Sequence, residues 1–70
     1  MATKWRRRLK VTKPLRSGID RLELGVNFGS FRSLKEDTRA ASCLDIDKFQ
    51  GKRVTKDLQP QDGLWFDDIE

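Results

Sequence analysis

The chain has 70 residues, with a single cysteine, no histidine and a formal net charge of +4. One cysteine excludes a disulfide within the chain, and without histidine the usual Cys/His zinc sites cannot be built. A chain of this length hides only about 60 % of its unfolded surface, so one small domain is the upper limit, and an oligomer, a protein partner or a nucleic acid is the expected extra source of stability.

The net charge conceals an asymmetry. Residues 1–35 carry ten basic and two acidic residues, a charge of +8; residues 36–70 carry five basic and nine acidic, a charge of −4. Such a split points to one end that faces a polyanion. The basic residues concentrate in an N-terminal arm, 1–16, which holds Lys4, Arg6, Arg7, Arg8, Lys10, Lys13 and Arg16 and no acidic residue. Within it Leu9 and Val11 alternate with Arg8, Lys10 and Thr12, as in a strand. Trp5 and Leu9 stand four apart, as on a helix. Periodicity leaves both open, and Pro14 prevents a helix from running on. The arm reads as a strand at 9–12, or as a short helix formed on binding.

After the turn signal Ser17-Gly18, the residues Leu22, Leu24, Val26 and Phe28 alternate with Glu23, Gly25 and Asn27. That period of two predicts a half-buried strand over 22–28. Gly29-Ser30 then reads as a tight hairpin, with a short return strand at 31–34; the alternative is a loop over 27–33 anchored by Phe28 and Phe31. Ser33 followed by Glu36 matches a capping box, and residues 34–43 contain good helix formers, so one short helix is expected there. Leu44 and Ile46 alternate with Asp45 and Asp47, which predicts a strand at 43–48. A further edge strand is expected at 53–58, with Lys56 as the protective charge. The fold class is therefore small α+β: three to four short antiparallel strands and one short helix over 17–58, between the basic arm and an acidic, aromatic C-terminal tail, 59–70. The expected core is Leu22, Leu24, Val26, Phe28, Phe31, Leu34, Ala41, Leu44, Ile46, Phe49 and Val54, with Cys43 as a small buried apolar residue.

Pro60 and Gly63 mark a linker to the tail Leu64-Trp-Phe-Asp-Asp-Ile-Glu70. Gln61, Leu64, Trp65, Phe66, Asp67 and Asp68 are the candidate partner-binding residues, because Trp and Phe fill hot-spot pockets. The opposing arrangement folds Leu64, Trp65 and Phe66 back onto the chain's own core, and a third lays the tail over the basic arm. The stretch Gln61-Asp-Gly-Leu-Trp-Phe66 is similar to the peptide with which bacterial replication proteins bind the sliding clamp: Gln61, Leu64 and Phe66 occupy the key places, while Asp62 stands where a leucine is common. The tail also resembles the aromatic and acidic ends of bacterial antitoxins, whose basic N-terminal halves bind operator DNA. No antitoxin DNA-binding fold maps onto residues 1–35.

Catalysis has little to stand on. The commonest general base is missing, Cys43 has no histidine to activate it, and no glycine-rich phosphate loop is present. The carboxylate pairs Asp45/Asp47 and Asp67/Asp68 read as solvent-facing rather than metal-binding, so neither metal nor cofactor is expected. No apolar run approaches the ~20 residues of a membrane span. The basic N-terminus is followed by no apolar run of a secretory signal and lacks the serine-rich, amphipathic character of a transit peptide, and an intracellular location is the expectation. The leading functional expectation is a small non-enzymatic nucleic-acid-binding protein, of a size common among viral or phage accessory proteins. Lys4, Arg6, Arg7, Arg8, Lys10, Lys13 and Arg16 would contact phosphate, and Trp5 would stack. The competing expectation is a protein-interaction module that docks through its tail.

Overall fold

Alternation decides β1 (Trp5–Val11). Leu9 and Val11 point to one face and are buried, while Arg8 and Lys10 point to the other and stay partly exposed. The computed structural model describes residues 5–34 and 39–70, and β1 is its central strand. On one side β1 pairs antiparallel with β2 (Phe28–Leu34), from Trp5↔Leu34 to Val11↔Phe28. On the other side Leu9 N–H donates to Ala41 O (2.9 Å) and Val11 N–H to Asp62 O (2.9 Å), while Leu64 N–H donates to Leu9 O (3.0 Å) and Gln61 N–H to Val11 O (2.8 Å). The segment at the start of the expected tail thus lies along the expected arm.

One short helix, α1 (Ile46–Phe49), follows a 3-10 turn at Cys43–Asp45, and the chain is a small α+β fold. Two strands form among the described residues, where alternation predicts three to four. Isolated bridges do the remaining work: Leu15↔Leu58 and Arg21↔Arg53 tie the two halves of the chain together, and Val54↔Ile69 holds the last residues within the second. A single core cluster draws on all three sequence segments: Leu9, Val11 and Leu15 from the first, Leu22, Phe28, Ala41, Phe49, Val54 and Leu58 from the second, and Leu64 from the third. No helix among the described residues is long and apolar enough to cross a membrane.

Several expectations are corrected, each for a local reason. Residues 22–27 form a turn, not a strand. Asn27 Oδ1 accepts Glu23 N–H (2.8 Å), Asn27 Nδ2 donates to Arg21 O (2.9 Å), and Gly25 adopts φ 82°. Side-chain bonds from Asn to nearby backbone outcompete a ladder, and Leu24 and Val26 are left exposed. Gly29-Ser30 lies inside β2 and is no hairpin turn, since Gly29 does not take the positive φ that such a turn needs. The helix expected at 34–43 is absent where it can be described: Leu34 ends β2, Ala41 and Ser42 run beside β1, and residues 35–38 lie outside the described residues. Ser33, the expected cap, is buried within β2.

The strand expected at 43–48 is a turn and helix. Ser42 caps it, accepting Leu44 N–H on Oγ (3.2 Å). Ile46 and Phe49, three apart, then share a helical face toward the core, and Leu44 is left outside. Over 53–58 only isolated bridges form; Val54 and Leu58 are buried, while Lys56 turns out to the Asp67 and Asp68 carboxylates. Phe31 is also exposed, because it projects from the opposite face of β2 to the buried Phe28.

Candidate nucleic-acid interface

The N-terminal half of β1 and the C-terminal half of β2 form a two-stranded ribbon in which Arg7 stands opposite Arg32 and Arg8 opposite Phe31. Successive residues alternate faces, so Arg7 and Arg32 share one face of the ribbon and Arg8 and Phe31 the other. Arg7 is held along its face: Nε donates to Ser30 Oγ (3.2 Å) and Nη2 to Ser30 O (2.9 Å). Both acceptors are neutral, so they fix the guanidinium and leave its charge intact. Arg8 Nη1 donates to Ala40 O (2.7 Å), another neutral acceptor.

The other expected contact residues divide by location. Lys4 lies outside the described residues. Trp5 and Arg6 belong to β1 by backbone, paired with Leu34 and Ser33. Lys10 continues the ribbon, opposite Gly29, and Lys13 is exposed in the loop beyond β1. Arg16 is engaged elsewhere: its Nη2 and Nε meet Asp20 at 3.2 and 3.3 Å, and its N–H donates to the same carboxylate at 2.7 Å. The side-chain hydrogen bonds, then the backbone one and the guanidinium charge, hold Asp20 below the usual carboxylate range, and Arg16 is raised in turn.

Beside Arg7 and Arg8 opens a cleft of ≈330 Å3, lined also by Ser42, Cys43 and Leu44. Cys43 packs partly against the core rather than being fully buried. Leu44 is 86 % exposed, the most exposed of the large apolar side chains described. Arg32, Phe31 and Leu44 were not legible as site residues. Arg32 and Phe31 join the arm only through the register of β1 on β2, and Leu44 only through the Arg8↔Ser42 bridge.

The tail is built differently from an exposed peptide. Leu64 is fully buried. The Asp68 side chain is 3 % exposed; its Oδ2 accepts Trp65 N–H (2.9 Å) and its Oδ1 meets Arg39 (3.3 Å) and Lys56 (3.4 Å). Asp67 meets the same two cations at 2.9 and 3.5 Å. Loss of hydration pushes the Asp67 carboxyl up, but the charges of Arg39 and Lys56 and their hydrogen bonds outweigh it, and the group sits below its ordinary value. Phe66 packs on Phe49 with ring centroids 5.1 Å apart, and Trp65 meets Phe66 edge-on at 5.2 Å. Gln61 is exposed at a turn with φ 78°. Of the clamp-peptide positions, Leu64 therefore cannot be offered to a partner without opening the core. The antitoxin-like tail is likewise folded onto its own chain, its acidic pair held by Arg39 and Lys56.

Among the described residues no group of three or more His, Cys, Asp or Glu is placed to hold a metal ion. Against protein-family models, curated proteins and solved structures the chain gives no significant match, so the reading of this surface rests on its geometry and charge.

Proposed function

We propose that this chain is a small non-enzymatic nucleic-acid-binding protein whose contact surface is the basic ribbon of β1 and β2. The observation that carries the reading is the juxtaposition of Arg7 and Arg32 across the ladder, with Arg8 and Phe31 on its other face. Guanidinium forks grip a phosphate backbone in a bidentate way. Phe31 supplies a π-face next to the charge, the combination used to hold unpaired bases.

The test is fluorescence anisotropy with labelled single- and double-stranded DNA and RNA at low and high salt. Binding that weakens steeply with salt, and that is lost in an Arg7/Arg8/Arg32→Ala variant which remains folded by circular dichroism, supports the assignment. Equal affinity of that variant and the parent chain refutes it.

A second reading draws on the half-exposed aromatic pair Trp65 and Phe66, 37 % and 41 % exposed. It makes the chain a protein-interaction module that docks through these two rings, with Leu64 and Asp68 serving only to hold them in place. Trp65→Ala would then abolish partner capture while leaving nucleic-acid affinity unchanged.

A further inference from the structure

The cleft between the ribbon and the 3-10 turn combines two features seldom adjacent on a small surface. Arg7 and Arg8 supply cationic walls, and Leu44, projecting into solvent from Cys43–Asp45, supplies an apolar one. An exposed leucine alone needs no explanation. Here it borders a cavity lined also by Arg7, Arg8, Ser42 and Cys43. The volume, ≈330 Å3, falls at the low end of ligand sites, about 300–1,000 Å3. The charge selects an anion, and the apolar wall selects an anion that carries a flat, poorly hydrated group.

Building on the nucleic-acid reading above, we propose that this cleft seats one unstacked nucleotide of a single-stranded nucleic acid, its base against Leu44 and Cys43 and its phosphate at Arg7 and Arg8. A base within a duplex is stacked on both faces and enters such a cleft only after it is extruded, at a cost in unpairing and unstacking. A single strand presents the same base without that cost. The preference for single strands therefore arises at the cleft, while Arg32 and the outer ribbon hold the backbone of either form. Arg7, fixed by the neutral Ser30 acceptors, is positioned before the strand arrives, which lowers the ordering cost of binding.

The experiment compares a labelled oligothymidylate, its oligouridylate counterpart, the thymidylate strand with abasic sites, and a duplex of the same length. Parent protein and Leu44→Ala are titrated with each, and alkylation of Cys43 is followed with and without saturating strand. Leu44 is exposed, so its removal does not disturb the fold. The parent should bind the intact strand on the order of tenfold more tightly than the abasic one. Leu44→Ala should lose most of that difference and bind the duplex as the parent does. The intact strand should slow alkylation of Cys43 and the duplex should not. The thymidylate and uridylate arms rank DNA against RNA at the same site. Strand binding with equal affinity for intact and abasic forms, or with Cys43 reacting as fast as in the free protein, overturns the cleft assignment and leaves the ribbon reading standing. Absence of binding to every nucleic acid at low salt overturns both.

Discussion

Arg7 and Arg32 face each other across the β1–β2 ladder at a closely spaced position. Leu9 turns its N–H away from β2 to Ala41, so Leu9↔Ser30, and with it Arg7↔Arg32 two residues along, are pairs of the non-hydrogen-bonded kind, with Cα atoms about 4.5 Å apart. Both side chains leave the same face of the ribbon, where Arg7 is held by Ser30. Arg32→Ala should weaken binding to all nucleic-acid sequences alike and lower the salt slope by about one. The residue is exposed, so urea denaturation should place the variant within about 1 kcal/mol of the parent. Sequence-selective loss of affinity, or an unchanged salt slope, would remove Arg32 from the contact surface.

Acid should loosen the chain through Asp20 and Asp67. Both carboxyls lie below their ordinary value of 3.8 in the folded state, Asp20 through its hydrogen bonds to Arg16 and Asp67 through Arg39 and Lys56 despite the cost of its lost hydration. A depressed folded pKa contributes stability that is fully present above the unfolded pKa and disappears as pH falls through the folded one. Stability should thus be flat near neutrality and decline below pH about 4. Asp20→Asn should be less stable than the parent at neutral pH and show a shallower acid decline. Urea midpoints measured across that range decide it, and parallel curves for parent and variant would contradict the role given to Asp20.

Leu64, near the end of the chain, is part of the core and should behave as core. Leu64→Ala removes a fully buried side chain and should cost roughly 2–5 kcal/mol. Gly63→Ala tests the same packing from the backbone side, because a Cβ there would lie 2.8 Å from Ala40 Cβ; overpacking of this kind costs about 1–3 kcal/mol. Trp65→Ala, at a half-exposed position, should cost less than either. Thermal unfolding followed by circular dichroism gives the order, and a Leu64→Ala chain as stable as the parent would return the tail to the status of a free peptide.

Ser33 is the weak point of β2. It is buried, and among the described residues its Oγ has no hydrogen-bond partner. A buried hydroxyl left unmatched costs about 1–3 kcal/mol in desolvation. Ser33→Ala should therefore leave stability unchanged or raise it, contrary to the usual direction for a buried substitution. A clear loss in the denaturant midpoint would show that the hydroxyl is satisfied after all.

The charge asymmetry, the lack of a histidine-based catalytic or zinc site and the alternation of Leu9 and Val11 could be read from the residues alone. Each depends on composition or on neighbours a few positions apart. The alternation at 22–28 was equally visible, yet Asn27 and Gly25 closed a turn, because side-chain bonds to nearby backbone need no distant partner. The same limit applies to 43–48, where capping by Ser42 and the three-residue spacing of Ile46 and Phe49 outweighed the period of two.

What only the tertiary structure decided is where the ends go. Nothing in the first sixteen residues says that β1 is flanked on both sides, and nothing in the last twelve says that Leu64 closes the core while Asp68 takes Arg39 and Lys56. Those outcomes depend on pairings between residues dozens of positions apart, Leu9 with Ala41 and Leu64 above all. A chain this small has few residues from which to build a core, and here it draws on both terminal segments, with Leu9 and Val11 from the first and Leu64 from the last. The basic ribbon is the consequence: the arm's charges are mounted on a strand, beside an arginine and a phenylalanine that the linear sequence keeps more than twenty residues away.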